Sequence, residues 1–262
     1  MISVIMGVYN GANTLEEAVE SILKQTYKDW ELIVCDDCST DQTLNILVRY
    51  SKRDSRIKVI KNAINSGLAA SLNHCLKYAK GEFIARMDCD DISDPVRFEK
   101  QLNYLIKHPE YQLVGTYMRE FNGNKLGKII KTKLYPTKYD LPKGAPFAHA
   151  TILMRTEAMK SLNGYFISNY TVRTEDVDLW YRFFAKGFHG ANIPETLYYV
   201  RMDEAAYKRR KLKYMSHAAY IIWYGCDLVD LPKYYKVFCI KPFLSWLFPR
   251  NIKSKLRKYL IK

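Results

Sequence analysis

Long apolar runs are missing from this 262-residue chain. No stretch approaches the ~18–20 apolar residues of a membrane-spanning helix. The opening Met1-Ile2-Ser3-Val4-Ile5-Met6 has no basic n-region and no cleavage site, so it reads as a first strand and not as a signal peptide. Cysteine supplies no framework either. Cys35 and Cys38 form one CxxC, and without a second pair a tetrahedral zinc site lacks two ligands. That pair straddles a strand end, whereas a redox CxxC would open a helix. Cys35, Cys38, Cys75, Cys89, Cys226 and Cys239 are therefore expected to be reduced thiols that pack as small apolar residues in a cytoplasmic protein. Repeats and low-complexity segments are absent. With 48% hydrophobic and 14% aromatic residues the chain is not disordered. A fold of this length buries roughly 70–75% of its unfolded surface and needs no staples.

Acidic charge is scarce in one place. The chain carries 41 Lys and Arg against 27 Asp and Glu, a net +14. Residues 205–262 hold fourteen of those cations, opposed only by Asp227 and Asp230, which leaves residues 1–204 near neutral at about +2. A basic surface suits nucleic acid, an anionic membrane or phosphate ligands, and here it is expected in the C-terminal fifth.

What is present is an alternation of short apolar runs and helical patterns. Ser3–Val8 reads as a buried parallel strand. Thr14 with Glu17 three residues on forms a capping-box pattern that opens a helix to about Gln25. Trp30–Cys35 is the next strand, followed by a helix through Tyr50. The strand Ile57–Ile60, a helix Leu68–Ala79 and a fourth strand Glu82–Met87 come after it. A helix to about Lys107 is expected beyond Pro95. Strands mixed with Gly/Pro-rich loops fill Leu113 to Leu153, and helices are expected at Thr156–Leu162 and Glu175–Lys186. The pattern predicts an α/β fold: a doubly wound, mostly parallel sheet with helices on both faces and a helical basic C-terminal extension. Ligands in such sheets lie beyond the carboxyl ends of the strands, which directs attention to Gly7, Tyr9, Asp36, Asp37 and the acids after Met87.

Asp88-Cys89-Asp90-Asp91 places three carboxylates within four residues where a strand stops. Their mutual repulsion is relieved by a divalent cation with oxygen ligands, Mg²⁺ or Mn²⁺; a solvated turn capping the next helix is the plainer alternative. Glu175-Asp176-Val177-Asp178 opens a helix. There the acids either compensate the helix dipole or project a general base into the same cleft. Asp178 faces away from its two neighbours and is assigned no role.

Several of these signals stand in one order. Val4–Asn10, Cys35-Asp36-Asp37-Cys38-Ser39-Thr40-Asp41, Asn65-Ser66-Gly67-Leu68-Ala69 and Ala85-Arg86-Met87-Asp88-Cys89-Asp90-Asp91 resemble the family 2 glycosyltransferases with the GT-A fold. His149-Ala150-Thr151, Leu162-Asn163-Gly164-Tyr165 and Glu175–Arg182 extend the resemblance over residues 1–203. It implies inverting transfer of a sugar from a nucleotide diphosphate donor, UDP being favoured by Asp37, to an acceptor hydroxyl. By position, Gly7 and Tyr9 would hold the nucleobase and Asp37 would accept the uracil N3 hydrogen, with Asn65 in the same donor site. Asp88 would lie near the ribose, Asp90 would bind a bridging Mn²⁺ or Mg²⁺, and Asp91 would assist either. Asp176 would be the general base with Glu175 beside it, and His149 would lie near the diphosphate or metal. Residues 1–95 would form the nucleotide-sugar-binding half of a catalytic domain and 96–204 its acceptor side.

The resemblance has one gap. Many relatives follow Tyr-Arg with a His that joins the metal shell; here Tyr199-Val200-Arg201-Met202-Asp203 offers Asp203 in its place or no such ligand. Arg201 would still suit a phosphate oxygen. The Gln-x-x-Arg-Trp run of processive synthases is absent, which favours single addition. In the tail, Lys208–Lys211 precedes the aromatic-rich Tyr214–Tyr224, and Phe243–Phe248 precedes Arg250, Lys253, Lys255, Arg257 and Lys258. Apolar and aromatic residues beside cations describe a segment lying on an anionic membrane, the inner face of the cell membrane for a lipid-linked saccharide acceptor. Packing of those apolar faces on the catalytic domain is the alternative. A sugar-phosphate nucleotidyltransferase is the rival enzyme, but the turn Tyr9–Thr14 lacks its Gly-rich loop and cations. A nucleic-acid-binding protein is the rival non-enzyme, and no helix-turn-helix, zinc finger or RNP motif supports it, so no nucleic-acid partner is expected.

Overall fold

Alternate residues of the buried first strands face two different cores, and this sets the architecture. A computed structural model describes residues 1–202 and 212–247. In β1 (Ile2–Val8), Ile2, Val4, Met6 and Val8 face one core and Ile5 faces the other. In β2 (Trp30–Asp36), Leu32 and Val34 join the first core while Ile33 and Cys35 join the second. Both strands are apolar on both sides because helices cover both sides. α1 (Leu15–Leu23), α2 (Thr43–Arg53) and α4 (Arg97–Lys107) supply the first layer; α3 (Leu68–Leu76), α5 (Thr156–Ser161) and α6 (Glu175–Ala185) supply the second.

Among the described residues the sheet has nine strands in the order β3-β2-β1-β4-β8-β6-β9-β5, with β7 paired to β6. β3 (Ile57–Lys61), β2, β1 and β4 (Phe83–Arg86) run parallel. β8 (Leu153–Arg155) pairs antiparallel with β4 and with β6 (Leu113–Asn122), and β6 and β9 (Gly190–Arg201) are parallel. β5 (Ile92–Ser93) and β7 (Lys125–Ile130) complete the sheet. The chain is thus a mixed, mostly parallel α/β fold with a helical C-terminal part.

Two elements depart from expectation. The capping box does not form: the Thr14 hydroxyl donates to the Cys89 carbonyl at 3.0 Å, and Glu17 pairs with Arg201. Tertiary partners on the acidic loop and at the end of β9 win over the local cap. The twelve-residue β9 was not expected, because Pro194 and Glu195 interrupt its pattern. The register passes from Thr116↔Ile193 to Tyr117↔Thr196, leaving both residues unpaired in a bulge where the missing proline N–H costs nothing.

α7 (Leu212–Leu228) and α8 (Lys241–Leu247), joined through a 3-10 segment Lys233–Ile240, form the described C-terminal part. Ile221, Ile222, Cys226, Val229 and Leu231 are buried in the second core, so part of the tail's apolar surface packs on the domain. Asp203, Lys208–Lys211, Phe248 and the cations from Arg250 to Lys258 lie outside the described residues. No helix among those described is long and apolar enough to cross a membrane.

Candidate active site

The parallel strands end at one edge, and a cleft of about 330 Å³ opens there between β1, β2, the start of α3 and the 166–175 segment. Gly7, Tyr9, Asp37, Asn65 and Glu175 line it. A Cβ on Gly7 would stand 3.0 Å from Leu68 and 3.1 Å from Ser71, so α3 can approach β1 only over glycine. Tyr9 is half exposed at the mouth. Asp37 is 4% exposed; one oxygen accepts from Asn62 (2.7 Å) and the Ser66 amide (2.8 Å), the other from the Gly67 amide (2.8 Å). Gly67 presents that amide from φ 85°, a conformation costly for any other residue. Asp37 thus braces the 62–67 loop against the cleft, and the Gly67-bonded oxygen retains one acceptor site.

Asp88, Asp90 and Asp91 follow β4, with carboxylate oxygens all within 4.8 Å of one another. They are not equivalent. Asp91 is buried: it accepts the Arg201 amide at 2.8 Å and a hydrogen bond from Tyr198, while burial and then the charges of Asp88 and Asp90 push its pKa well up. Asp88 pairs with the Arg86 guanidinium. Asp88, Asp90, Asp91, Asp176, His149 and Arg201 do not line the Gly7–Asp37 cleft; the Arg201 Nε donates to the Asp90 carbonyl at 2.8 Å and its guanidinium pairs with Glu17. Arg201 ties β9 to the acidic loop and to α1.

Glu175 and Asp176 sit in the first turn of α6, after Arg173 at φ 67°. Burial raises both pKa values; for Glu175 the neighbouring Asp176 charge adds to it. For Asp176 the Val177 amide and the Arg86 charge oppose the rise and Asp88 adds to it. Asp178 turns to Arg182 at 2.7 Å, one helical turn on, away from both. His149 lies with Nε2 2.8 Å from the Tyr165 hydroxyl; burial and then Arg86 hold its pKa well below the usual range, so the ring is neutral.

Arg86 is the common term. It is 4% exposed, and although burial works against its charge, Asp88 keeps the guanidinium pKa above its ordinary value. Its field reaches Asp88, Glu175, Asp176, Tyr165 and His149, residues from four separate segments. Sequence reasoning missed it, although a lone Arg inside an apolar strand beside three acids was a usable signal. Tyr198 on β9 was missed too: its hydroxyl accepts the Asp88 amide at 3.1 Å and bonds Asp91, so one fully buried ring holds both ends of the acidic loop. Arg97, also fully buried, packs its guanidinium 5.2 Å from that ring and donates to the Arg86 carbonyl. Tyr198→Phe leaves two buried groups without that partner, and unfolding in urea should show a loss of roughly 1–3 kcal/mol. An unchanged midpoint would show that water replaces the hydroxyl at no cost.

The strand order and the acid loop at the sheet's carboxyl edge define a GT-A type transferase fold. S. aureus TarS (residues 1–349, solved with UDP-GlcNAc) superposes with a TM-score of 0.73 at 22% identity, over 93% of this chain and 71% of that one. Mannosyltransferase PcManGT from Pyrobaculum calidifontis, solved with GDP-Man and Mn²⁺, gives 0.67 at 16% identity, over 99% and 79%. Those likenesses speak for the fold. In sequence, EpsE of Bacillus subtilis (strain 168), named as a glycosyltransferase, is 46% identical over 98% of this chain and 93% of its own length. The O-antigen biosynthesis glycosyltransferase WbnJ of Escherichia coli is 32% identical over 95% and 94%. The family described as glycosyl transferase family 2 matches residues 3–162. This chain belongs to that family.

Proposed function

We propose that the chain is a metal-dependent, inverting glycosyltransferase. It adds one sugar from a UDP-sugar to a hydroxyl of a glycan or lipid-linked saccharide in bacterial surface polysaccharide synthesis. The observation that carries this reading is the set of carboxylates at the carboxyl ends of the parallel strands: Asp88, Asp90 and Asp91, with oxygens within 4.8 Å of one another after β4, and Asp37 after β2 in the cleft that Glu175 also lines. The nucleotide-sugars of the structural neighbours, UDP-GlcNAc in one and GDP-Man with Mn²⁺ in the other, support a nucleotide-sugar donor and the ion, and the O-antigen role of WbnJ supports the pathway class.

Clustered carboxylate oxygens are the donor set that Mg²⁺ or Mn²⁺ prefers. Asp88 and Asp90, both half-buried, would hold the ion, with the buried Asp91 beside them. Bound there, the ion supplies neutralisation of the charge that gathers on the leaving diphosphate. Tyr9 offers its exposed ring to a nucleobase, and Asp37 offers its open lone pair to the N3 hydrogen of uracil. Asp176 takes the proton of the acceptor hydroxyl, and its raised pKa makes it a stronger base than a free aspartate. Attack from the face opposite the diphosphate inverts the anomeric carbon.

A donor panel tests the reading. At 100 times Kd, UDP with Mn²⁺ should stabilise the chain by about 2.7 kcal/mol, a Tm rise of roughly 5–10 °C. Asp90→Asn should lose the part of that rise that needs the ion. A larger rise with GDP than with UDP would move the donor to another base, and pyrophosphate release from a nucleoside triphosphate would move the enzyme to another class.

We also infer that the outward side of the tail meets an anionic membrane. Trp223, Tyr234, Val237, Ile240 and Leu244 are exposed, and Lys236 lies 4.8 Å from the Trp223 ring, so apolar and basic groups are interleaved. Flotation of the full chain with anionic but not neutral vesicles is expected. Equal flotation with both, or with neither, would remove this element.

A further inference from the structure

A second cleft, of about 520 Å³, lies between α6, α7 and the 166–171 loop. We propose that it is the acceptor subsite, taking pyranose rings of the acceptor glycan against tyrosines of the C-terminal helix; this rests on the glycosyltransferase reading above. Tyr220 and Tyr224 stand one turn apart on α7 with ring planes 5° apart and centroids at 6.4 Å. Tyr170, from the loop, stacks on Tyr220 at 4.7 Å. All three tyrosines are 50–59% exposed.

Placement argues for a saccharide. Ser168 and Thr171 line both this cleft and the donor cleft, so one short loop is the wall between them. Glu175 borders the donor side and Asp178 and Arg182 border the aromatic side, so the first two turns of α6 run past both clefts. The wall is held from within by Thr171, whose hydroxyl donates to the Phe166 carbonyl at 2.9 Å. From α7 it is held by His217, with Nδ1 3.1 Å from the Val172 carbonyl. α7 therefore reaches the site that its buried face supports.

Composition argues the same way. Apolar ring faces with a few placed polar groups suit a ligand that is apolar on its C–H faces and polar at its edges. The polar groups here are Ser168, Thr171 and the Asp178–Arg182 pair at 2.7 Å. Gly225 lets α7 approach this closely, since a Cβ there would stand 2.5 Å from the Tyr181 ring.

Saturation-transfer NMR on the full chain with Mg²⁺ and UDP tests the assignment. The probes are methyl glycosides of glucose, galactose, N-acetylglucosamine and N-acetylgalactosamine. At least one should receive saturation from the unaltered protein. Tyr220→Ala with Tyr224→Ala should weaken that glycoside roughly tenfold while UDP keeps its signal. Tyr220→Phe with Tyr224→Phe keeps the ring faces and should keep the glycoside. The assignment falls if no glycoside binds, if the alanine pair binds it as the unaltered protein does, or if the phenylalanine pair also loses it. Parallel loss of UDP in the alanine pair overturns it as well, because α7 would then be a support and not a subsite. If UDP fails to bind the unaltered chain while the glycoside pattern holds, the cleft stands and the donor reading fails.

Discussion

Asp176→Asn lowers the transfer rate by a factor of roughly 10²–10⁴, the range a general base contributes, and leaves UDP affinity within about twofold. The substitution keeps shape and removes only the ability to take a proton. At about 1.4 kcal/mol per decade the loss corresponds to roughly 3–5 kcal/mol of transition-state stabilisation. It should fall on kcat, because no bond to the donor is removed. The pH profile carries a second signature. Burial raises the Asp176 pKa above that of a free aspartate, so the ionised base is present at high pH. Activity is then lost as pH falls through that raised value, earlier than an ordinary aspartate would lose it. That acid limb should vanish from the residual activity of Asp176→Asn. If Glu175→Gln is the variant that loses transfer while Asp176→Asn keeps more than about a tenth of it, the base is Glu175.

Arg86→Met should be the most damaging single change to the fold near the site. Breaking a buried ion pair costs about 3–5 kcal/mol. Asp88 is 29% exposed and water relieves part of its stranded charge, so about 3 kcal/mol is expected, with a Tm fall of roughly 6–12 °C. Methionine preserves much of the volume, so the loss reports charge more than packing. Arg86 also holds the Asp176 pKa down. Without it that pKa rises further and the acid limb of the rate profile moves to higher pH. A variant with an unchanged Tm and an unmoved limb would show that Arg86 is a bystander.

The acids could be found in the sequence because each stands where an apolar run stops or a helix begins. Asp37 follows β2, Asp88 follows β4 and Asp176 opens α6. In a parallel sheet those strand ends share one edge, so pattern alone put Asp37 and Asp88 on the same side of the molecule. Tyr198 could not be assigned in that way. Its partner lies far along the chain: the bond from the Asp88 amide to the Tyr198 hydroxyl spans 110 positions.

The chain's own pattern was enough for the α/β class, for the layered helices over β1 and β2 and for the location of the carboxylates. Those follow from burial periodicity, which is local. Only the tertiary structure decided that Thr14 bonds to Cys89 instead of capping its helix, that a proline-bearing segment becomes the long β9, and that part of the tail packs into the second core. It also decided that Asp88, Asp176, His149 and Tyr165 share the field of one guanidinium. The physical reason is the same in each case. A buried polar group must find a partner wherever the fold supplies one, and that choice is made across space, at distances the order of residues does not encode.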